Sequence, residues 1–228
     1  MKLKDILLGQ SIRLIRLLQP VGGLYIPDFI KLVQNEFKFV TVPKSLADCD
    51  LNKGITFEHG LFNVYGKRKP SVSRSVVIDR FQIFSNGLLA EARSYVEDVD
   101  SFLEEVIAWS IRVLGVRHDT EALTASTYVS NVEVEMSNPF ALFHAKAYEG
   151  LAKALSKRFS EYGLKVAPYG QIGFALHADT VGLKAPFPTN FRIERREGFE
   201  FSSNVYFSTA PLKTQHHLDL LKEIESGI

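Results

Sequence analysis

Two clusters of basic residues are the part of this sequence best suited to chemistry. They comprise Lys67, Arg68, Lys69 and Arg74 in one stretch, and Arg192, Arg195 and Arg196 in another. Guanidinium and ammonium groups bind phosphate oxygens, so two such clusters that meet on one surface would bind a nucleic acid, a nucleotide or a phosphate group. The competing interpretation is a solubilising turn and an edge strand protected by charge.

Motifs for catalysis and for cofactors are missing from the sequence. It has no glycine-rich loop ending in Gly-Lys-Ser or Gly-Lys-Thr, no Gly-x-Gly-x-x-Gly and no Gly-x-Ser-x-Gly. The first two motifs let the backbone approach a phosphate group closely, and the third exposes a nucleophilic serine. The sequence therefore predicts no cofactor and favours a protein that is not an enzyme, with a site assembled from scattered residues as the alternative.

Metal and thiol chemistry are also disfavoured. His216 and His217 are adjacent in the predicted last helix, where their side chains point about 100° apart, so we expect a partly exposed pair and no metal site. Cys49 is the only cysteine and lies between Asp48 and Asp50. Their negative charge raises the pKa of a thiol, which predicts an unreactive cysteine.

The composition indicates a globular protein whose net charge is too small to produce a strong electrostatic field of either sign. Hydrophobic residues make up 46% and charged residues 23% of the 228 residues, and 27 basic residues face 26 acidic ones. The apolar run from Ile6 to Leu18 is interrupted by Gly9, Gln10, Arg13 and Arg16, which predicts that it does not span a membrane. With a single cysteine, the expected compartment is the cytoplasm.

The first 36 residues have helical spacing. Ile12, Ile15 and Leu18 recur three residues apart, which predicts an amphipathic helix over residues 4–18, and Pro27 opens a second helix that runs to about Glu36. We interpret residues 1–36 as a helical association element that binds a protein partner or a second copy through Ile12, Ile15 and Leu18. The alternative is that this segment packs on the protein's own domain.

Residues 37–228 are predicted to form one main α+β domain. Period-two patterns bounded by turn residues indicate a largely antiparallel sheet of about seven or eight strands, with four or five helices in the chain. Asn86-Gly87 between two such strands predicts a two-residue hairpin turn, and Ser94 with Glu97 predicts a capping box at the next helix.

A weak internal repeat relates two parts of this domain. A shift of 117 residues aligns Phe84-Ser85 with Phe201-Ser202 and Leu103 with Leu220, and each copy has the pattern hairpin, then helix. This suggests two pseudo-symmetric halves, residues 37–116 and 117–228, although two stretches of strands and helix also share apolar spacing by chance.

The function that these patterns favour is a non-enzymatic binding or assembly subunit that acts through protein–protein contacts. The apolar N-terminal segment supports this class, since monomers rarely leave such a surface in water. A nucleic-acid or phosphate-binding protein that uses the two basic clusters is the first alternative, and an enzyme with a site built from scattered residues is the second.

Overall fold

The fold is taken from a computed structural model, which describes residues 1–15, 17–18, 23–64, 74–118, 125–137, 146–161, 171–181 and 188–226. The helices are α1 (Ile26–Phe37), α2 (Val96–Leu114), α3 (Lys146–Glu161) and α4 (Thr214–Ser226). The strands are β1 (Lys2–Leu14), β2 (Leu17–Leu18), β3 (Ile55–Val64), β4 (Arg74–Phe84), β5 (Gly87–Ala92), β6 (Arg117–His118), β7 (Ala125–Glu135), β8 (Gly173–Leu176), β9 (Phe191–Arg195) and β10 (Val205–Ala210).

Eight strands form one open antiparallel sheet, in the order β3-β4-β5-β1-β7-β10-β9-β8. β2 and β6 pair separately as a short two-stranded sheet. The predicted α+β class, the antiparallel sheet and its number of strands are therefore confirmed. The described residues contain four α-helices, in agreement with the prediction.

The predicted helix over residues 4–18 is wrong, because Lys2–Leu14 forms a strand in the middle of the sheet. Register shifts between Leu3 and Asp5 and between Ile6 and Leu8 place Leu3, Ile6 and Gly9 opposite three alternating residues of β7. Two bulges thus give the residues of one sheet face a spacing of three up to Gly9, which imitates a helix. The spacing of Ile12, Ile15 and Leu18 has no such cause, since Ile12 lies in the regular part of β1, Ile15 follows that strand and Leu18 lies in β2. The second predicted helix is confirmed as α1, with Pro27 in its first turn.

The predicted hairpin is present, but its turn lies one residue earlier than expected. Phe84 pairs with Gly87, so Ser85 and Asn86 form the two-residue loop, and neither of them has a positive φ. Gly87 serves another purpose, because a Cβ there would lie 2.5 Å from the carbonyl oxygen of Arg13 in the neighbouring strand. The glycine is required by close strand packing rather than by the turn.

The hydrophobic core is divided into two clusters on the helix side of the sheet. The larger cluster surrounds Phe57, Phe81 and Phe102, and α1 and α2 cover it. The smaller cluster surrounds Val132 and Tyr206 and is covered by α4. The predicted capping box of Ser94 and Glu97 does not form, because the N-cap residue of α2 is Tyr95 and its side chain makes no capping hydrogen bond.

Candidate functional site

The two basic clusters lie on strands that are far apart in the sheet, as far as they are described. Arg74 is in β4 and Arg192 is in β9, and four strands separate β4 from β9, roughly 24 Å at about 4.8 Å per strand. Residues 67–69 lie outside the described residues, so a shared patch with Arg195 and Arg196 stays a prediction.

The described basic residues already have acidic or aromatic neighbours. Arg74 forms an ion pair with Asp98, Arg192 with Glu194 at 2.5 Å, and Arg196 with Glu133 at 3.1 Å. The Arg195 guanidinium lies over the ring of Tyr206, 5.6 Å from its centroid. A phosphate group would therefore have to compete with a carboxylate at three of these four positions.

The three residues predicted to form an interface have different surroundings. Ile15 is buried with only 5% of its surface exposed and belongs to the larger core cluster. Ile12 is half-buried in β1, opposite Leu89 of β5 and Thr127 of β7. Leu18 lies in β2, and its side chain is outside the described residues. Ile15 serves the protein's own core, which favours the alternative in which this segment packs on its own domain.

A buried carboxylate joins elements that are distant in sequence. We call the group of Ser11, Arg13, Asp100 and Lys213 the polar junction. Ser11 Oγ and Arg13 Nε donate hydrogen bonds of 2.9 Å to Asp100 Oδ1, and Lys213 Nζ donates one of 2.8 Å to Oδ2. Asp100 in α2 is 3% exposed, so the junction holds β1 and the start of α4 to one helix.

The charged groups of the polar junction stabilise one another. Burial alone would raise the pKa of Asp100, but the hydrogen bonds and charges of Lys213 and Arg13 outweigh it and hold that pKa below its usual range. Burial alone would lower the pKa of Lys213, and its bond to Asp100 raises it instead. The junction is therefore ionised at neutral pH, and both oxygens of its carboxylate already accept hydrogen bonds from Ser11, Arg13 and Lys213.

A second buried polar cluster is centred on His217 of α4. His217 is fully buried, with Nε2 2.9 Å from Ser208 Oγ and Nδ1 3.2 Å from Ser130 Oγ. Burial lowers the pKa of His217 to about 4, so the ring is neutral at pH 7. The predicted exposed pair is thus half wrong, since His216 is exposed and His217 is buried. Ser130 and Ser208 are fully buried too, which keeps a substrate away from this Ser–His arrangement.

The helices α2 and α4 cap each other at their N-termini. The backbone N–H of Val96 donates to Thr214 Oγ1 at 2.8 Å, and the backbone N–H of Gln215 donates to Glu97 Oε1 at 3.0 Å. These bonds satisfy first-turn N–H groups that have no partner within their own helix. Each helix depends on the other for its N-cap, which sequence reasoning missed because the partners are 118 residues apart.

On the helix side of β8 and β9, Leu176 faces solvent beside the half-buried rings of Phe174 and Phe191. Phe174 and Leu176 of β8 lie opposite Ile193 and Phe191 of β9, on the side that α4 covers nearer the centre. Phe174 and Phe191 touch ring to ring at 5.8 Å, but Leu176 remains 61% exposed. We call Phe174, Leu176 and Phe191 the β8 face. At the opposite edge of the sheet, Ile55 and Phe57 of β3 are buried, and Phe29 of α1 packs on Phe57.

Other groups give no sign of a reaction centre. Among the described residues, no three His, Cys, Asp or Glu side chains are placed to hold a metal ion. Burial and the charge of Asp48 raise the pKa of the Cys49 thiol, which agrees with the predicted lack of reactivity. A groove of about 420 Å³ runs beside β3, past Lys44, Asp48 and Lys53, but hydrogen bonds from Ser45 already engage Asp48.

Comparison with known proteins adds no function. No protein-family model matches the chain, and no curated protein matches it. Within the described part of the chain, no helix is long and apolar enough to cross a membrane.

Proposed function

We propose that the protein is a non-enzymatic binding or assembly subunit that docks a protein partner on the β8 face. The observation that carries this proposal is the 61% exposure of Leu176 on the side of the sheet that helices cover elsewhere. Ile172 and Val181, which flank β8, are 65% and 90% exposed. An apolar surface that water contacts at the edge of a core is typical of a protein interaction site.

The kind of partner follows from a proposed internal symmetry. From the centre outwards, the sheet reads β1-β5-β4-β3 on one side and β7-β10-β9-β8 on the other, and each set of strands is accompanied by two helices. Gly9 pairs with Ser130 in the centre, Gly9 also with Ala92, and Ser130 also with Ala210. A pseudo-twofold axis between Gly9 and Ser130 would exchange these pairs, as an isologous interface does.

This symmetry makes β8 the counterpart of β3. In the first unit, the amphipathic helix α1 covers β3, with Val33 1% and Phe37 4% exposed. The ring of Phe29 in α1 lies 6.5 Å from that of Phe57 in β3. The β8 face therefore suits an amphipathic helix that presents aliphatic and aromatic side chains to it.

The test is a comparison of the tagged full-length chain with two charged variants. Leu176→Asp places a charge in the β8 face, whereas Leu61→Asp places one on β3 at a leucine that is 44% exposed on the other side of the sheet. We expect a stoichiometric protein partner with the natural chain and with Leu61→Asp, and none with Leu176→Asp. Titration of the purified partner should show binding at least about tenfold weaker for Leu176→Asp, since about 1.4 kcal/mol of lost burial corresponds to that factor. Equal binding by both variants would show the proposal to be wrong.

A further inference from the structure

β8 is the last strand at one edge of the sheet, and alternate residues along it direct their backbone groups outwards. The backbone N–H of Arg195 in β9 donates a hydrogen bond of 2.6 Å to the carbonyl oxygen of Ile172. Because both backbone groups of a strand residue point to the same side and successive residues alternate, Gly173 and Ala175 direct their N–H and C=O groups away from β9. We call these outward backbone groups the β8 edge.

β3, at the opposite edge of the sheet, is protected against pairing with another chain. The backbone N–H groups of Thr41 and Glu58 donate to each other's carbonyl oxygens at 3.1 and 2.9 Å, so the segment before β3 covers part of its edge. His59 has a φ of 57°, which interrupts the extended backbone of β3. Covering segments, irregular backbone and charged residues are common protections of an edge strand. β8 (Gly173–Leu176) has no charged residue, and no described segment pairs with its outer side.

We propose that the β8 edges of two copies of this chain pair antiparallel about a twofold axis at Phe174, which joins the two eight-stranded sheets into one. In this register Gly173 of each copy lies opposite Ala175 of the other, and the outward groups of the two pairs form four hydrogen bonds. The amide of Gln171 already donates to the Gly173 carbonyl oxygen at 3.2 Å, but a carbonyl oxygen accepts two hydrogen bonds. The dimer does not rest on the proposed function.

The exposed side chains of β8 select this register. Ile172 and Leu176 are 65% and 61% exposed and lie on the helix side of the strand. An axis at Phe174 places Ile172 of each copy opposite Leu176 of the other, at positions without backbone hydrogen bonds, where side chains of paired strands are closest. An axis at Gly173 or Ala175 would cover only one of these two side chains by pairing. The register with the axis at Phe174 therefore removes four aliphatic side chains from water.

Charge and shape are compatible with a second copy as the occupant. Two uncharged strands do not repel each other, and the side chains of Gly173 and Ala175 are too small to hinder pairing on the open side of the sheet. The twofold axis is perpendicular to the sheet, so the helices of both copies lie on the same side of the joined sheet. Pairing covers the outer flank of β8 and leaves the top of the β8 face to a helix. A short edge buries less surface than a standard interface, so we expect dissociation in the micromolar range.

Sedimentation equilibrium of the purified full-length chain across the micromolar range tests the dimer. Ala175→Pro removes an outward N–H group without removing a hydrogen bond to β9, as edge strands tolerate. Ala175→Thr is the matched control, because it changes the same side chain and keeps the N–H group. We expect a dimer for the natural chain and for Ala175→Thr. The dissociation constant of Ala175→Pro should be at least about tenfold larger, since two of the four hydrogen bonds are lost.

A mixing experiment tests the register without relying on proline. Ile172→Asp and Leu176→Lys each place a charge opposite an aliphatic side chain, so each variant alone should dimerise at least about tenfold more weakly than the natural chain. An equimolar mixture should form a heterodimer of nearly natural affinity. In that heterodimer the two new charges lie opposite each other, and the second pair keeps the natural isoleucine and leucine.

Three results would overturn the proposal: a natural chain that stays monomeric throughout this range, equal dissociation constants for Ala175→Pro and Ala175→Thr, or a mixture that dimerises no better than its two components. Because only the purified chain is present, these measurements and the partner titration of Leu176→Asp can fail independently. A monomeric chain that still binds its partner would remove the dimer and leave the proposed function standing.

Discussion

At the scale of single residues, Asp100 connects α2 to β1 and to the start of α4 through its bonds to Ser11, Arg13 and Lys213. Asp100→Asn keeps the shape of the side chain but leaves Arg13 and Lys213 without their buried carboxylate, so we expect a loss of roughly 2–4 kcal/mol in the free energy of unfolding at pH 7. Urea titration measures this loss. The control Glu104→Gln removes a carboxylate that is 3.1 Å from Arg13 but 55% exposed, and should cost less than about 1 kcal/mol. Similar losses in both variants would contradict the role given to burial.

The difference in the free energy of unfolding between Asp100→Asn and the natural chain should also depend on pH. The folded state holds the pKa of Asp100 below that of the unfolded chain, about 3.9. Its stabilisation is therefore complete above about pH 5 and is lost as the pH falls through the folded pKa. Unfolding curves at pH 7 and pH 3 should show the two proteins converging in acid, and a constant difference would be inconsistent with this linkage.

The buried His217 should cause a second dependence of stability on pH, over a different pH range. Its pKa is about 4 in the folded chain and about 6.5 in the unfolded chain, so protons bind preferentially to the unfolded state between these values. Stability should fall by about 2 kcal/mol between pH 7.5 and pH 5. His217→Gln should lack this slope, and the exposed neighbour His216→Gln should keep it.

Little in the amino-acid pattern points to Asp100 or His217 as buried polar residues. Asp100 and its donors Ser11 and Lys213 are separated by 89 and 113 residues, so no local pattern joins them. In the sequence, Arg13 is one of the polar residues that interrupt an apolar run. The direction of the pKa shift of Cys49 is different: burial is its larger cause, but the second cause, the charge of the adjacent Asp48, is visible in the sequence.

At the scale of elements, Gly9 allows β1 to pass the N-terminus of α2. A Cβ at this position would lie 2.3 Å from the Ser94 carbonyl oxygen and 2.9 Å from the Val96 nitrogen, both backbone atoms that cannot move independently. We expect Gly9→Ala to cost about 1–3 kcal/mol in the free energy of unfolding. Gly150→Ala in α3 is the matched control, since nothing lies within 4 Å, and should raise helix stability by about 0.5–1 kcal/mol.

Deletion of residues 1–14 tests the corrected place of the N-terminal segment. The association element inferred from sequence would be removable, but a strand that pairs with both β5 and β7 is not. We expect the shortened chain to lose cooperative thermal melting. A folded and cooperative product would restore the earlier interpretation of this segment.

Strands β5 and β9 and helices α1, α2 and α4 are predictable because each has an uninterrupted period and clear boundaries. β1 is not, because its two bulges change the phase of its side chains twice within six residues. Its place in the sheet depends on pairing with β7, more than a hundred residues away, and sequence periodicity contains no information about that partner.

At the scale of the whole molecule, the reciprocal caps of α2 and α4 should make unfolding a single event. Thr214→Val removes the acceptor for the Val96 N–H and should cost about 1 kcal/mol. Trp109, the only tryptophan, reports on the larger core cluster, and hydrogen exchange of β10 reports on the smaller one. Thr214→Val should lower the free energy of unfolding that both probes report by the same amount, and the control Thr209→Val should change neither value. Separate transitions for the two probes would contradict this coupling.

The central position of β1 also has a consequence during synthesis on the ribosome. β1 is made before both of the strands that flank it, and the edge that pairs with β7 stays unpaired until β7 has been translated, more than a hundred residues later. In that interval the nascent chain already contains β3, β4, β5 and α2, which can fold around β1 and present an unpaired strand edge. Two nascent chains on neighbouring ribosomes can pair through these edges. Rapid elongation between α2 and β7 would therefore protect the protein from misassembly during synthesis.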